Sequence, residues 1–97
     1  MSATALSFNA DATLGGYSAT FQASDTSALK IHIEYSNLDD NGQSLIRVLT
    51  KNDSTEEYGL RAVVKNTEKV FDSVADFCDG EYVKIWTNIN PTSGSYL

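Results

Sequence analysis

The sequence predicts an all-β domain: an antiparallel β-sandwich of about seven short strands, immunoglobulin-like or jelly-roll-like. Three observations lead there. In residues 29–35 (L-K-I-H-I-E-Y), Leu29, Ile31, Ile33 and Tyr35 alternate with Lys30, His32 and Glu34, and a period of two marks a strand with one buried and one wet face. Clusters of Asn, Asp, Gly and Ser interrupt the apolar runs about every 8–12 residues, the spacing of turns in a sandwich. Helical periodicity appears nowhere over a useful length. A small open barrel is the runner-up architecture.

Taken in order, residues 1–13 are rich in Ala, Ser and Thr, with Leu6 and Phe8 two apart. They form either a first strand or an arm that orders against a partner, ahead of a single sandwich domain over residues 14–97. Leu14-Gly15-Gly16 breaks the chain before a short strand carrying Tyr17, Ala19 and Phe21. The stretch 29–49 then organises the rest. Its alternating strand, its polar loop S-N-L-D-D-N-G-Q-S and its apolar run L-I-R-V-L read as two antiparallel strands joined by a loop. Residues 50–57 are polar throughout and turn in solvent. Residues 58–65 make a strand with Leu60, Ala62 and Val64 on one side, and 70–74 a short apolar piece. Residues 75–80 (A-D-F-C-D-G) are a tight turn or one helical turn ending at Gly80, where a missing Cβ is favoured. Residues 81–89 are the second strong strand, stopped at Asn90-Pro91 because proline cannot donate to a ladder. Residues 92–97 are a polar tail with an aromatic end.

Length and charge bound the function. At 97 residues there is room for one domain. A formal net charge of −6, with only seven basic residues, argues against nucleic acid, which is bound by Lys and Arg displacing counterions. The lone Cys78 cannot form an internal disulfide, and one Cys with one His is a poor basis for a metal site. No apolar run reaches the roughly 20 residues that cross a bilayer. The opening M-S-A-T-A-L-S-F-N-A lacks the basic start and apolar core of a secretory signal. The expectation is a chain assembled in the cytoplasm, with no membrane partner and no cofactor.

Several residues suggest chemistry, and each has a plainer explanation. In N-L-D-D-N-G, residues Asn37, Asp39 and Asn41 alternate ahead of Gly42 as in a calcium loop. The twelfth position, where a bidentate Glu belongs, holds Val48, so a hairpin loop is the better reading. His32 lies mid-strand on the wet face, beside Glu34. Cross-strand charge pairing explains it better than a catalytic dyad, which needs a nucleophile in reach. Asp72, Asp76, Asp79 and Glu81 are solvated turn carboxylates rather than a glycosidase pair, since a domain this small has little material for a sugar cleft. Cys78 has no adjacent cation to activate it and reads as a buried, inert thiol. Asn52-Asp53-Ser54 fits a glycosylation sequon by chance. No catalytic constellation results, and the expectation is a protein that is not an enzyme.

The aromatic strand 81–89 is the most informative. Val83, Ile85, Thr87 and Ile89 share one face, while Tyr82, Lys84 and Trp86 share the other. With the aliphatic face as core, Tyr82, Lys84 and Trp86 point outward as candidates for an interface or a ligand. If the strand is central and covered on both faces, they are core instead.

As a whole, the order of features resembles that of small β-sandwich proteins of tailed-phage virions. The matching pieces are Gly16-Tyr17-Ser18, residues 29–35, residues 45–54 and Gly80-Glu81-Tyr82-Val83-Lys84-Ile85. Bacterial adhesion and carbohydrate-binding modules share similar patterns. The resemblance implies a multi-copy capsid decoration, head-fibre or tail component, homo-oligomeric and bound to major capsid or neck and tail proteins in the virion. It carries over no catalytic residues. One further strand is expected after residue 89: either residues 92–97 are its shortened form, or a neighbouring chain completes the sheet. The alternative is a glycan-binding or adhesion module using Tyr82 and Trp86.

Overall fold

A computed structural model describes residues 3–24, 28–38 and 42–97. Among these residues there is no helix, and nine strands form two antiparallel sheets. The strands are β1 (Thr4–Ala5), β2 (Asn9–Ala10), β3 (Tyr17–Gln22), β4 (Ala28–Glu34), β5 (Ser44–Lys51), β6 (Gly59–Asn66), β7 (Val70–Asp76), β8 (Tyr82–Thr87) and β9 (Ser93–Tyr96). The smaller sheet has the order β1-β9-β4-β7 and the larger β2-β3-β8-β5-β6. With β1 and β2 only two residues long, seven substantial strands remain, as the turn spacing predicts.

The predicted alternation sets the core. Leu29, Ile31, Ile33 and Tyr35 of the smaller sheet face Ala19, Ile46, Val83 and Ile85 of the larger, all buried. Each is an aliphatic or aromatic side chain on the inner face of a pleat, where burial contributes about 1.5–3 kcal/mol for a large residue. A buried hydroxyl pair in this layer is satisfied internally: Tyr35 Oη and Thr87 Oγ1 lie 2.7 Å apart. Phe21 stacks on Tyr96 at 4.0 Å and meets Phe77 edge-on at 6.1 Å, closing one end of the sandwich.

Four expectations need correction or refinement. The stretch 29–49 is not a hairpin: β4 pairs with β7 and β9, while β5 pairs with β6 and β8 in the opposite sheet. Both strands are one-face-buried, so crossing the sandwich buries them against each other, which side-by-side pairing could not do. The N-terminal residues form a strand rather than a free arm. β1 pairs with β9, β2 pairs with β3, and Leu6 between them is 6% exposed in the core. Residues 92–97 are the shortened last strand, lying between β1 and β4. Finally, Leu60 does not share a side with Ala62 and Val64. Val48 pairs with Ala62 but Leu49 with Leu60, so Arg61 is an extra, bulged residue. A bulge of this kind bends an edge strand and re-aims one side chain.

The turn 75–80 is the tight alternative, after a strand that runs on to Asp76. Gly80 takes φ +82°, donates its N–H to Ala23 O at 2.7 Å and precedes the Glu81 N–H donation to Cys78 O. At the other end of β6, buried Asn66 donates Nδ2 to Glu68 O at 2.6 Å and to Ser44 Oγ at 3.0 Å. That side chain fixes the three-residue turn carrying the chain from β6 across to β7 in the facing sheet. The central pairs β4–β7 and β8–β5 match the B–E and F–C pairs of an immunoglobulin sandwich, but the first and last long strands have exchanged sheets.

Candidate functional site

The outer face of the larger sheet carries Tyr82, Lys84 and Trp86, on the face the alternation predicts. Register sets Arg47 beside Trp86, Leu49 beside Lys84 and Lys51 beside Tyr82. Trp86, however, is only 6% exposed. Its Nε1 donates to Gly15 O at 2.6 Å, and the Arg47 guanidinium lies 4.6 Å from the ring. Gly16 sits so close, at φ +62°, that a Cβ there would come within 2.8 Å of the indole. The N-terminal loop therefore lies over the indole, and Trp86 is not a free platform for a ligand. Tyr82 is half-buried, with Lys51 Nζ 5.7 Å from its ring.

Asp11 organises that loop, and the sequence reading passes over it. Its Oδ1 accepts from Leu14 N at 2.8 Å and Thr13 N at 3.0 Å, while Oδ2 accepts from Ser18 Oγ at 2.9 Å and Lys84 Nζ at 3.3 Å. Its own N–H donates to Gly16 O. The Leu14 N–H above all, with Ser18, Thr13 and Lys84 adding to it, outweighs desolvation and lowers the carboxyl from 3.8 to about 2. The signal was present in D-A-T-L-G-G, an Asp two and three residues before amides that a double glycine bends back toward it. Lys84 is thereby occupied, but Tyr58, Glu56, Glu57, Leu49 and Lys84 still surround a shallow depression of about 370 Å³.

On the outer face of the smaller sheet, His32 is held between two carboxylates. Nδ1 lies 2.6 Å from Asp72 Oδ1 on the paired strand β7, and Nε2 lies 3.1 Å from Glu34 Oε2. The Asp72 hydrogen bond, then that of Glu34, raises its pKa above 6.5. With a carboxylate on each ring nitrogen, the imidazolium is favoured and neither nitrogen is free to take a proton from a substrate. The cross-strand pairing read from the sequence is thus completed by Asp72.

The remaining candidates are dispersed. Glu81 Oε1 accepts from Cys78 N at 2.9 Å and lies 3.8 Å from Arg61, in the turn before β8 and apart from the Asp72–His32 pair on β7 and β4. Cys78 is exposed, not buried: Phe77 takes the inward position of the turn and its neighbour points out. In the sequon, Asp53 Oδ1 accepts from Thr55 N and Oγ1, an ordinary turn. Of the suspected calcium loop, Asp39, Asp40 and Asn41 lie outside the described residues. Among the described residues no cluster of three or more metal-ligating side chains is arranged to hold an ion, and no helix is long and apolar enough to cross a membrane.

A further feature escapes any strand-by-strand reading. β6 and β7 are each one edge of their sheets, the opposite edges being the two-residue strands β1 and β2, and residues of both line one cleft along the same side of the sandwich. Leu60 (60% exposed), Val63 (51%), Val70 (42%) and Val74 (61%) project from them. Between the edges a cleft of about 130 Å³ opens to the core, lined by Ile31, Ile46, Val48, Val64, Phe71 and Ala75. The bulged Arg61 straps one end, its guanidinium over Phe77 at 4.6 Å and bonded to Asp76 O. Unpaired edge strands with apolar side chains are templates for strand addition.

Fold and site together define a small two-sheet β-sandwich with one open, apolar side. Comparison with protein-family models, with curated proteins and with solved structures finds no match to this chain.

Proposed function

We propose that the protein is a non-enzymatic structural component of a phage virion, a multi-copy capsid-decorating, head-fibre or tail sandwich that binds neighbouring virion proteins. The observation that carries this reading is the open side: two adjacent sheet edges bearing four exposed apolar side chains beside a cleft into the core. No segment covers these two edges among the described residues, and their unpaired backbone groups are free to accept a further strand. A component of a lattice or fibre uses them. The order of strands and turns that resembles tailed-phage sandwiches points the same way, and virion proteins (major capsid, neck or tail) are the partners it implies.

The test is to purify particles by density gradient from the cells that make the chain and to count its copies by quantitative mass spectrometry. Many copies per particle are expected. A chain that stays wholly in the particle-free fraction would sink the proposal.

A glycan-binding module is the second reading, and one observation favours it: the depression beside Tyr58, with Glu56, Glu57 and Lys84 able to hydrogen-bond sugar hydroxyls. Because Trp86 is covered, Tyr58 and Tyr82 are the aromatics left to stack on a ring. A glycan array bound by the wild type and lost in Tyr58→Ala would establish it.

A further inference from the structure

We propose that the partner of the open side is a second copy of this chain, with β6 of each copy pairing antiparallel to β7 of the other about a two-fold axis parallel to the strands. This rests on the assembly reading above and names the surface and its occupant. Successive strands β6 and β7 run in opposite directions at the same side of the molecule, one in each sheet. A half-turn about an axis along the strands exchanges the layers while preserving strand direction. The larger sheet of one copy then continues into the smaller sheet of the other, twice, and both pairings are antiparallel. Every open edge on that side closes at once, which is what a self-complementary interface requires.

Face and height restrict the register. The inner face of β6 carries Ala62 and Val64, and its outer face Val63 and Lys65; β7 has Phe71, Ser73 and Ala75 inward and Val70, Asp72, Val74 and Asp76 outward. Residues directly opposite in an antiparallel pair must share a face. The three-residue turn sets Asn66 and Val70 at about the same height, which leaves two same-face registers, and the one that pairs opposite charges sets Lys65 opposite the partner's Asp72. Val63 then falls opposite the partner's Val74, and Val64 opposite the partner's Ser73. Val63 and Val74, two strongly exposed aliphatic residues, thus cover each other.

Charge selects this pairing over its rival. A two-fold axis perpendicular to the sheets would instead pair β6 with β6 and β7 with β7. That would bring the basic edge against its own copy and the acidic edge against its own, with Asp72 opposite the partner's Asp76 when Val74 lies on the axis. Like charges across a strand pair destabilise it, whereas opposite charges contribute roughly 0.2–1 kcal/mol each. β6 is the basic edge and β7 the acidic one, so only the crossed arrangement matches them. The area is sufficient. An eight-residue strand spans about 25 Å, and across a molecule 19 Å thick that gives on the order of 500 Å² a side, near the lower bound for a specific interface.

The decisive experiment uses two separate chains, Val63→Cys and Val74→Cys, each also carrying Cys78→Ser to remove the exposed native thiol. Mixed under mild oxidation they should give a disulfide-linked heterodimer, while each alone gives little. Cross-linking of each variant with itself would establish the rival axis and overturn the proposal. Light scattering over a concentration series supplies the second arm. Lys65→Asp and Asp72→Lys should each weaken self-association at least tenfold, and the double variant should recover it, which a folding defect would not do. A wild type that is monomeric throughout, or an oligomer indifferent to these charges and without the mixed disulfide, overturns the proposal. Incorporation into particles is measured independently, so the proposed function survives or falls separately.

Discussion

Gly16 and Asp11 show how much of this surface depends on single atoms. At Gly16 a Cβ would meet Thr87 O at 2.7 Å and Trp86 at 2.8 Å, with φ at +62°, whereas Gly15, at φ +73°, has open space. Gly16→Ala should therefore cost roughly 2–4 kcal/mol, the sum of a left-handed backbone and overpacking, and Gly15→Ala about 1–2. Urea titrations followed by Trp86 fluorescence compare them directly. Asp11→Ala should lose on the order of 1–2 kcal/mol at neutral pH by removing a turn cap and a partner for Lys84. Since its carboxyl falls from 3.8 to about 2 on folding, this contribution is complete above the unfolded value and disappears as pH drops through that window. Acid titrations of wild type and Asp11→Asn should diverge above it and converge below it. His32 behaves oppositely. Its raised pKa makes its contribution complete below 6.5 and lost as pH rises through the folded value. Stability compared at about pH 6 and about pH 9 should fall in the wild type and hold level in His32→Gln.

At the scale of elements, the N-terminal segment is a strap across both sheets rather than an arm. Its two short strands hydrogen-bond one to each sheet, the Leu6 N–H donates to Gly94 O at 2.8 Å, and Phe8 packs so tightly on Gly94 that a Cβ would come within 2.7 Å. Leu6→Ala should cost about 2–4 kcal/mol, as a buried leucine at such a crossing does, measured by chemical denaturation. A loss below about 0.5 kcal/mol would mean that the strap is not anchored by this residue. The bulge at Arg61 is the other local device. By placing an extra residue in the edge strand, it turns a cation inward onto Phe77 and Asp76, where regular alternation would have sent it to solvent.

For the whole molecule, the topology separates sequence neighbours. Among the described residues only β2–β3 and β5–β6 pair as adjacent strands, while β1 waits for β9 and β3 for β8. Loop closure must precede those contacts, so refolding should be slow for this size, in the millisecond-to-second range. Stopped-flow fluorescence of the single Trp86 reports it directly, because the indole becomes covered only when β3, β8 and the N-terminal loop come together. The same topology leaves β6 and β7 as edges on one side, the surface on which the proposed self-association rests.

What was legible in the sequence is periodic. Alternation in 29–35 and 81–89 is a property of one strand and one interface, so the strands, their inner faces and the sandwich class follow from it. The same alternation states the side of the sheet from which Tyr82, Lys84 and Trp86 project, but β8 is a central strand and Trp86 is covered on that side as well. The covering of Trp86 was not legible, because it depends on a loop some seventy residues away reaching across β8. Nor was the crossing of β4 and β5 into different sheets, since alternation states which face is buried and not what buries it. The exposure of Cys78 turned on which of two neighbours entered the core, and the larger aromatic ring of Phe77 took that place. The open side belongs wholly to the tertiary structure: an edge exists only once every other strand has found its partner.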